Sequence, residues 1–241
     1  MTEKLIKFLC VIAGLQLLFV LFLFIFVKTP PEEHTVLGMG IGVYLFWIII
    51  GGLLMRKFRG QIRDFVQNIR LQWQVKFVLF CTFLALLEEV ITTVMTNTAS
   101  LYGVTMAEAH ITASANYWDV VLTHSVILFV PMFCIWAWLL SKYDFSPNQT
   151  FLLWGLSGLF MEVVYGGLAH ITEIGFWGLV YGLMIYLPAY SVPPNRGVKK
   201  PAAWLYPLVI FGVPLVGVIP GGILSSIIKH IRPPHYFPGV K

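Results

Sequence analysis

Apolar residues in this chain gather into long runs separated by short polar connections. Within the runs the few polar positions recur at helical spacing rather than in alternation. Leu15 to Val27 and Tyr44 to Leu54 are almost continuously apolar, and runs of this kind recur near the ~20 residues that cross a hydrocarbon core. A closed outer-membrane barrel requires ~10-residue strands of alternating polarity, which neither run supplies. The pattern predicts seven helices, at about 5–27, 35–54, 75–96, 119–140, 150–171, 174–190 and 204–228. The expected fold is all-α, a polytopic transmembrane helical bundle. Its last helix carries Pro207, Pro214 and Pro220 and is open to being broken or re-entrant.

Composition points the same way. Hydrophobic residues make up 58% of the 241 positions and charged residues 11%, too little charge to clothe a water-soluble domain of this length. No repeat at a fixed period and no low-complexity tract interrupts the chain, so residues 1–241 read as a single integral membrane domain. The first apolar run is longer than a secretory h-region, and no small-residue cleavage site precedes Lys28-Thr29-Pro30-Pro31, so it reads as a retained signal anchor. Residues 97–118 form the longest polar stretch, expected as an external loop that serves as a lid or an interfacial helix.

Charge sets the expected orientation. With seven crossings, 12 Lys and Arg fall on the side of the N-terminus (Lys4, Lys7, Arg56, Lys57, Arg59, Arg63, Arg70, Lys76, Lys142, Arg196, Lys199 and Lys200). Four fall on the other (Lys28, Lys229, Arg232 and Lys241). Cytoplasmic loops collect such residues, which predicts a multi-pass protein of the cell membrane with a cytoplasmic N-terminus and an external C-terminus; the basic tail pulls against the latter. The net charge of +5 is concentrated in 56–76, where Phe58, Ile62, Phe65, Val66, Ile69 and Trp73 interleave with the cations. This is expected to be an amphipathic connector on an anionic leaflet rather than a nucleic-acid surface. The lipid bilayer is the one partner composition implies; oligomeric state is open. Cys10, Cys81 and Cys134 are scattered through predicted helices and suggest no disulfide frame.

The candidate chemistry lies in acidic residues placed where they are expensive. Glu88 and Glu89 sit in the third apolar run, and a carboxylate inside a bilayer costs roughly 2.5–3.5 kcal/mol on insertion scales, so a partner or a task is expected for each. Thr82, Thr92, Thr93 and Thr96 share a helical stripe with Glu89, which turns it toward the protein interior. Two adjacent carboxyls repel when both ionise, so one is expected to hold a proton, the condition for general acid–base work. In the fifth helix Glu162 lies in a stripe with Gly155, Gly158 and Gly166, and the sixth answers with Gly175, Gly178 and Gly182, so the two are expected to pack face to face. His170 lies two turns beyond Glu162. His124 and Asp119 open the fourth helix, with Asp119 expected at the water boundary. By depth, Glu88, Glu89, His124, Glu162 and His170 all fall in the outer half and are expected around one cavity. As a catalytic set they would supply general acid–base chemistry. As a metal set, Glu89, His124, Glu162 and His170 would suit a divalent ion such as zinc, although no HExxH spacing is present.

At Glu88-Glu89, and again from Ser157 through Glu162 and Tyr165 to His170, the chain resembles the intramembrane glutamate-protease superfamily of CaaX prenyl proteases and bacteriocin-processing enzymes. Phe160, Glu162 and Tyr165 resemble the related PrsW-type pattern. The resemblance implies a glutamate-dependent or metal-dependent hydrolase acting on a membrane-embedded peptide or lipid. The family's arginine four residues after the second glutamate is Thr93 here, and its aromatic three before the histidine is Gly167. The residues themselves equally admit an ion- or proton-coupled transporter or channel, or a non-catalytic subunit of a membrane complex.

Overall fold

A computed structural model describes residues 2–238. Nine α-helices are defined among them: α1 Thr2–Phe26, α2 Pro31–Val43, α3 Gly52–Asn68, α4 Trp73–Thr96, α5 Tyr117–Thr123, α6 Val126–Lys142, α7 Pro147–Gly166, α8 Ile174–Ser191 and α9 Leu205–Ile231. No strand occurs among the described residues. Five helical segments are long and apolar enough to cross a membrane, and six if the bent α5–α6 pair counts as one. The protein is a polytopic helical bundle, as the apolar pattern predicts. The remaining long helix, α7, is more polar because it begins Pro147-Asn148-Gln149-Thr150 and carries Glu162.

Helix α8 forms the axis of the bundle. All but a few of its residues are buried, and it packs against α1, α3, α4 and α7. The α7–α8 contact rests on the predicted glycines: a Cβ at Gly155 would overlap the Gly178 carbonyl, and one at Gly158 would overlap the Tyr181 ring. Gly182 faces Phe151, where a Cβ would fall 2.7 Å from the ring. Gly175 departs from the expectation. It faces Ala13 and Gln16 of α1 rather than α7, so small residues on two faces of α8 admit two neighbours. Outside this centre α6 packs on α4 and α9, and α9 also covers α7.

Four boundaries differ from the sequence reading, each for a local reason. The second span does not stop near 54. The chain from Pro31 to Asn68 is one helical segment of 38 residues, passing through a π-helical stretch at Tyr44–Gly51 into α3. The basic residues of 56–68 therefore extend a spanning helix, because Trp47 anchors the π stretch by donating from Nε1 to Val180 O at 3.0 Å and no breaker follows before the turn at 69–72. The fourth span is bent by 42° at His124-Ser125. The fifth ends at Gly166: Gly167 takes φ +102°, and Leu168–Glu173 follows as a 3₁₀ turn, so His170 lies outside the helix. The last helix is unbroken over Leu205–Ile231. Pro207 sits in the first turn, where a missing N–H costs nothing; Pro214 is buried against the bundle, while Pro220 is exposed between Gly217 and Gly221, whose close approach to α6 holds the helix across the lost bond.

The helix ends fix two polar faces. At one end Ser146 and Gln149 form a reciprocal capping box that starts α7. There Arg196 also locks the 192–204 loop to α6, donating from Nε to Leu140 O at 3.1 Å and from Nη2 to Asp144 at 3.2 Å. Burial pulls this guanidinium below its ordinary value, against the opposing pull of Asp144. At the other end, 97–116 is neither a long helix nor a loose loop. A short 3₁₀ turn at Ala99–Tyr102 leads into a cap in which Met39, Ala99, Val104 and Ala109 pack together, and the Thr112 hydroxyl donates to Thr96 Oγ1 at 2.9 Å. The helices are staggered: Gln16 of α1 meets Thr172 and Phe176 at the α7–α8 turn, so α1 runs ~15 Å beyond that turn. Cys10, Cys81 and Cys134 are all free.

Candidate functional site

Glu88 and Glu89 are both turned into the bundle, at 5% and 7% exposure. Their position follows from the face of α4 on which they lie. Cys81, Ala85, Thr93 and Thr96 are buried beside them, while Leu79, Phe83, Leu87 and Val90 point outward. Thr92 reaches back with its hydroxyl to the Glu88 and Glu89 carbonyls and to Glu89 Oε2, each at 3.3 Å. Ser125, in the break between α5 and α6, lies near the Glu89 carboxyl and donates its hydroxyl to Val120 O at 3.3 Å. Tyr117 closes this side, its hydroxyl donating to Leu86 O at 3.1 Å.

Across the bundle, Tyr181 of α8 donates its hydroxyl to Glu162 Oε1 of α7. Gly158, one turn before Glu162, leaves the room that the tyrosine ring fills. Phe129 and Trp154 meet the same ring edge-on at 5.8 and 6.4 Å between centroids, which fixes its rotamer. Glu88 and Glu89 each lie within electrostatic reach of Glu162, and all three lie within reach of the Tyr181 hydroxyl. Among the described residues none of the three carboxyls is paired with Lys or Arg. The sequence reading did not single out Tyr181. Its signal was a phenol three residues after Gly178 inside an apolar helix, where a buried hydroxyl requires an acceptor.

The histidines are not brought into this cluster as hydrogen-bond partners. His170 pairs locally instead: Nδ1 lies 2.8 Å from Glu173 Oε2, and Trp177 Nε1 donates to the same oxygen at 2.6 Å. Spacings of three and four residues put 170, 173 and 177 on one face, a pairing visible in the sequence once the turn at Gly167 is known. His170 and Glu173 remain within electrostatic reach of Glu162, so a line of titratable groups leads from the α7–α8 turn to the carboxyl cluster. His124 ends α5 and faces the tail, with Tyr236 edge-on at 5.9 Å and Lys229 nearby. Among the described residues no three His, Cys, Asp or Glu side chains come together as a metal site. The proposed set of Glu89, His124, Glu162 and His170 does not fit zinc, because each imidazole is turned to other neighbours.

Asp119 lies under the tail and not in open water. At 2% exposure it accepts the His235 backbone N–H at 2.9 Å and faces Arg232 at 3.6 Å, which ties the tail over the α5–α6 break. Thr123 Oγ1 and the Tyr236 hydroxyl lie 2.7 Å apart, and Phe237 N–H donates to Ala113 O at 3.0 Å. The tail thus lies at the end of the bundle that carries 97–116.

Comparison with known protein families, curated proteins and solved structures gave no match to the chain.

Proposed function

We propose that this multi-pass membrane protein carries protons or a proton-coupled solute, and that Glu88, Glu89 and Glu162 take up and release the protons. The observation that carries this reading is a set of three carboxyls, Glu88 and Glu89 buried and Glu162 half-buried on the Tyr181 hydroxyl, within electrostatic reach of one another and with no Lys or Arg paired to them among the described residues. Such a group is tolerable in a low-dielectric interior when it holds protons, and acid chains of this kind mark proton relays in pumps and transporters. His170 and Glu173 extend the chain to the α7–α8 turn. The side with most Lys and Arg is taken as cytoplasmic.

The hydrolytic reading suggested by the resemblance to glutamate proteases keeps one specific support. Ser125 lies near Glu89 at a break between helices, although its hydroxyl is turned to Val120 O; a nucleophile and its base need such nearness. It lacks an imidazole oriented by either glutamate.

Reconstitution into liposomes with an internal pH-sensitive dye separates the two. Under an imposed pH gradient the wild type is expected to pass protons. Glu89→Gln and Glu162→Gln should each slow the flux at least tenfold while eluting as folded protein. Unchanged flux in both variants overturns the proton reading. Peptide cleavage abolished by Ser125→Ala would install the hydrolytic one.

A further inference from the structure

A second feature lies outside the carboxyl cluster and does not depend on its role. Between the π stretch and α3 on one side and α4 on the other runs a cleft of about 700 Å³, open laterally. Its walls are apolar along their length, with Phe46, Leu54 and Phe58 facing Phe83, Leu87 and Ile91. The one charged side chain that lines it is Lys76, at the end closed by the 69–72 turn. From Lys76 to Ile91 α4 rises ~22 Å. One leaflet contributes about half of the ~30 Å hydrocarbon core, so the cleft is long enough to hold one leaflet's acyl chain from head to tip. Its volume is that of a ligand site, which ranges over ~300–1,000 Å³.

Charge at the closed end decides what kind of head group belongs there. Lys76 Nζ donates to Gln67 O at 3.0 Å and to Ile69 O at 3.3 Å, leaving one of three ammonium protons for a further acceptor. Arg70 lies on the same turn, exposed and without an ion pair among the described residues. No Asp or Glu lines the cleft. An apolar slot of acyl-chain length that opens beside a lysine and an arginine is complementary to an anionic amphiphile. It offers no carboxylate to a zwitterion's positive group.

We propose that the α3–α4 cleft binds one anionic phospholipid, an acyl chain lying between Phe58 and Phe83 and the phosphate meeting Lys76 and Arg70. The test uses the full-length protein purified in detergent and stripped of lipid. It is titrated with phosphatidylglycerol or phosphatidylcholine of matched chains, and bound lipid is counted by native mass spectrometry. The wild type is expected to retain one phosphatidylglycerol about tenfold more tightly than phosphatidylcholine. Inorganic phosphate should not displace it. Arg70→Glu should remove the preference, and Leu79→Trp, which narrows the slot from an exposed position, should remove retention itself. Lys4→Glu, an equal charge change on α1, should leave both intact. Leu79→Ala checks that loss of binding in the tryptophan variant reflects filling rather than misfolding. Equal retention of the two lipids, indifference to Arg70→Glu, or displacement by phosphate would overturn the proposal. So would Leu79→Cys disulfides showing that a second copy of the chain occupies the cleft.

Discussion

The Tyr181 hydroxyl donates to Glu162 Oε1, joining α8 to α7 in the interior of the bundle. Both side chains depend on Gly158, whose missing Cβ leaves space for the phenol ring. Packing and polarity are therefore set by the same three residues, and substitutions in them separate structural from chemical roles.

Tyr181→Phe keeps the ring and removes the donor. A hydrogen bond contributes about 0.5–1.5 kcal/mol when its acceptor is neutral and about 1.5–3 kcal/mol when it is charged, so the variant should unfold at lower temperature in detergent. With Glu162→Gln the loss should be non-additive, and a double-mutant cycle reads the coupling.

Gly158→Ala and Gly155→Ala place a methyl group into the Tyr181 ring and the Gly178 carbonyl. Overpacking of this kind costs about 1–3 kcal/mol, and more where backbone must give way. Gly222→Ala on α9 meets nothing within 4 Å and should leave thermal stability unchanged.

Asp119→Asn should loosen the tail. The His235 amide loses a charged acceptor, and Arg232 its ion pair, so hydrogen exchange at His235 and Phe237 should quicken at least tenfold. Exchange at α4 amides should not change.

A pH effect is expected in the 97–116 cap. Thr105 N–H and hydroxyl both donate to Glu108 Oε2 at 2.8 Å, which holds this carboxyl below its ordinary value. A lowered folded-state value gives local stability that is fully present above the ordinary carboxylate range. That stability is lost as pH falls through the lowered value. The protection of the Thr105 amide, corrected for the slower intrinsic exchange in acid, should fall on acidification, and Glu108→Gln should flatten the profile.

The order of helices was legible because apolar runs of spanning length have few other uses. The inward turn of Glu89 was legible from the Thr82–Thr96 stripe, and the α7–α8 contact from glycines at helical spacing. What was hidden depended on groups distant in sequence. Nothing near His124-Ser125 announces a bend, since neither Pro nor Gly stands there. Asp119 is buried only because residues 232–237, more than a hundred positions later, return to cover it. His124 and His170 make no hydrogen bond to Glu88, Glu89 or Glu162, because depth along a helix says nothing of rotation. Each imidazole met a nearer partner, Tyr236 or Glu173.

The 38-residue helical segment from Pro31 to Asn68 has a mechanical corollary. At 1.5 Å per residue it measures ~57 Å, nearly twice the ~30 Å hydrocarbon thickness. No ordinary tilt hides that length, so the rod overhangs the bilayer and its inclination responds to the thickness of the host membrane. Because Trp47, Arg59 and Gln67 donate to Val180 O, the Tyr186 hydroxyl and Ser191 O, such a response carries the α8 axis along with the rod.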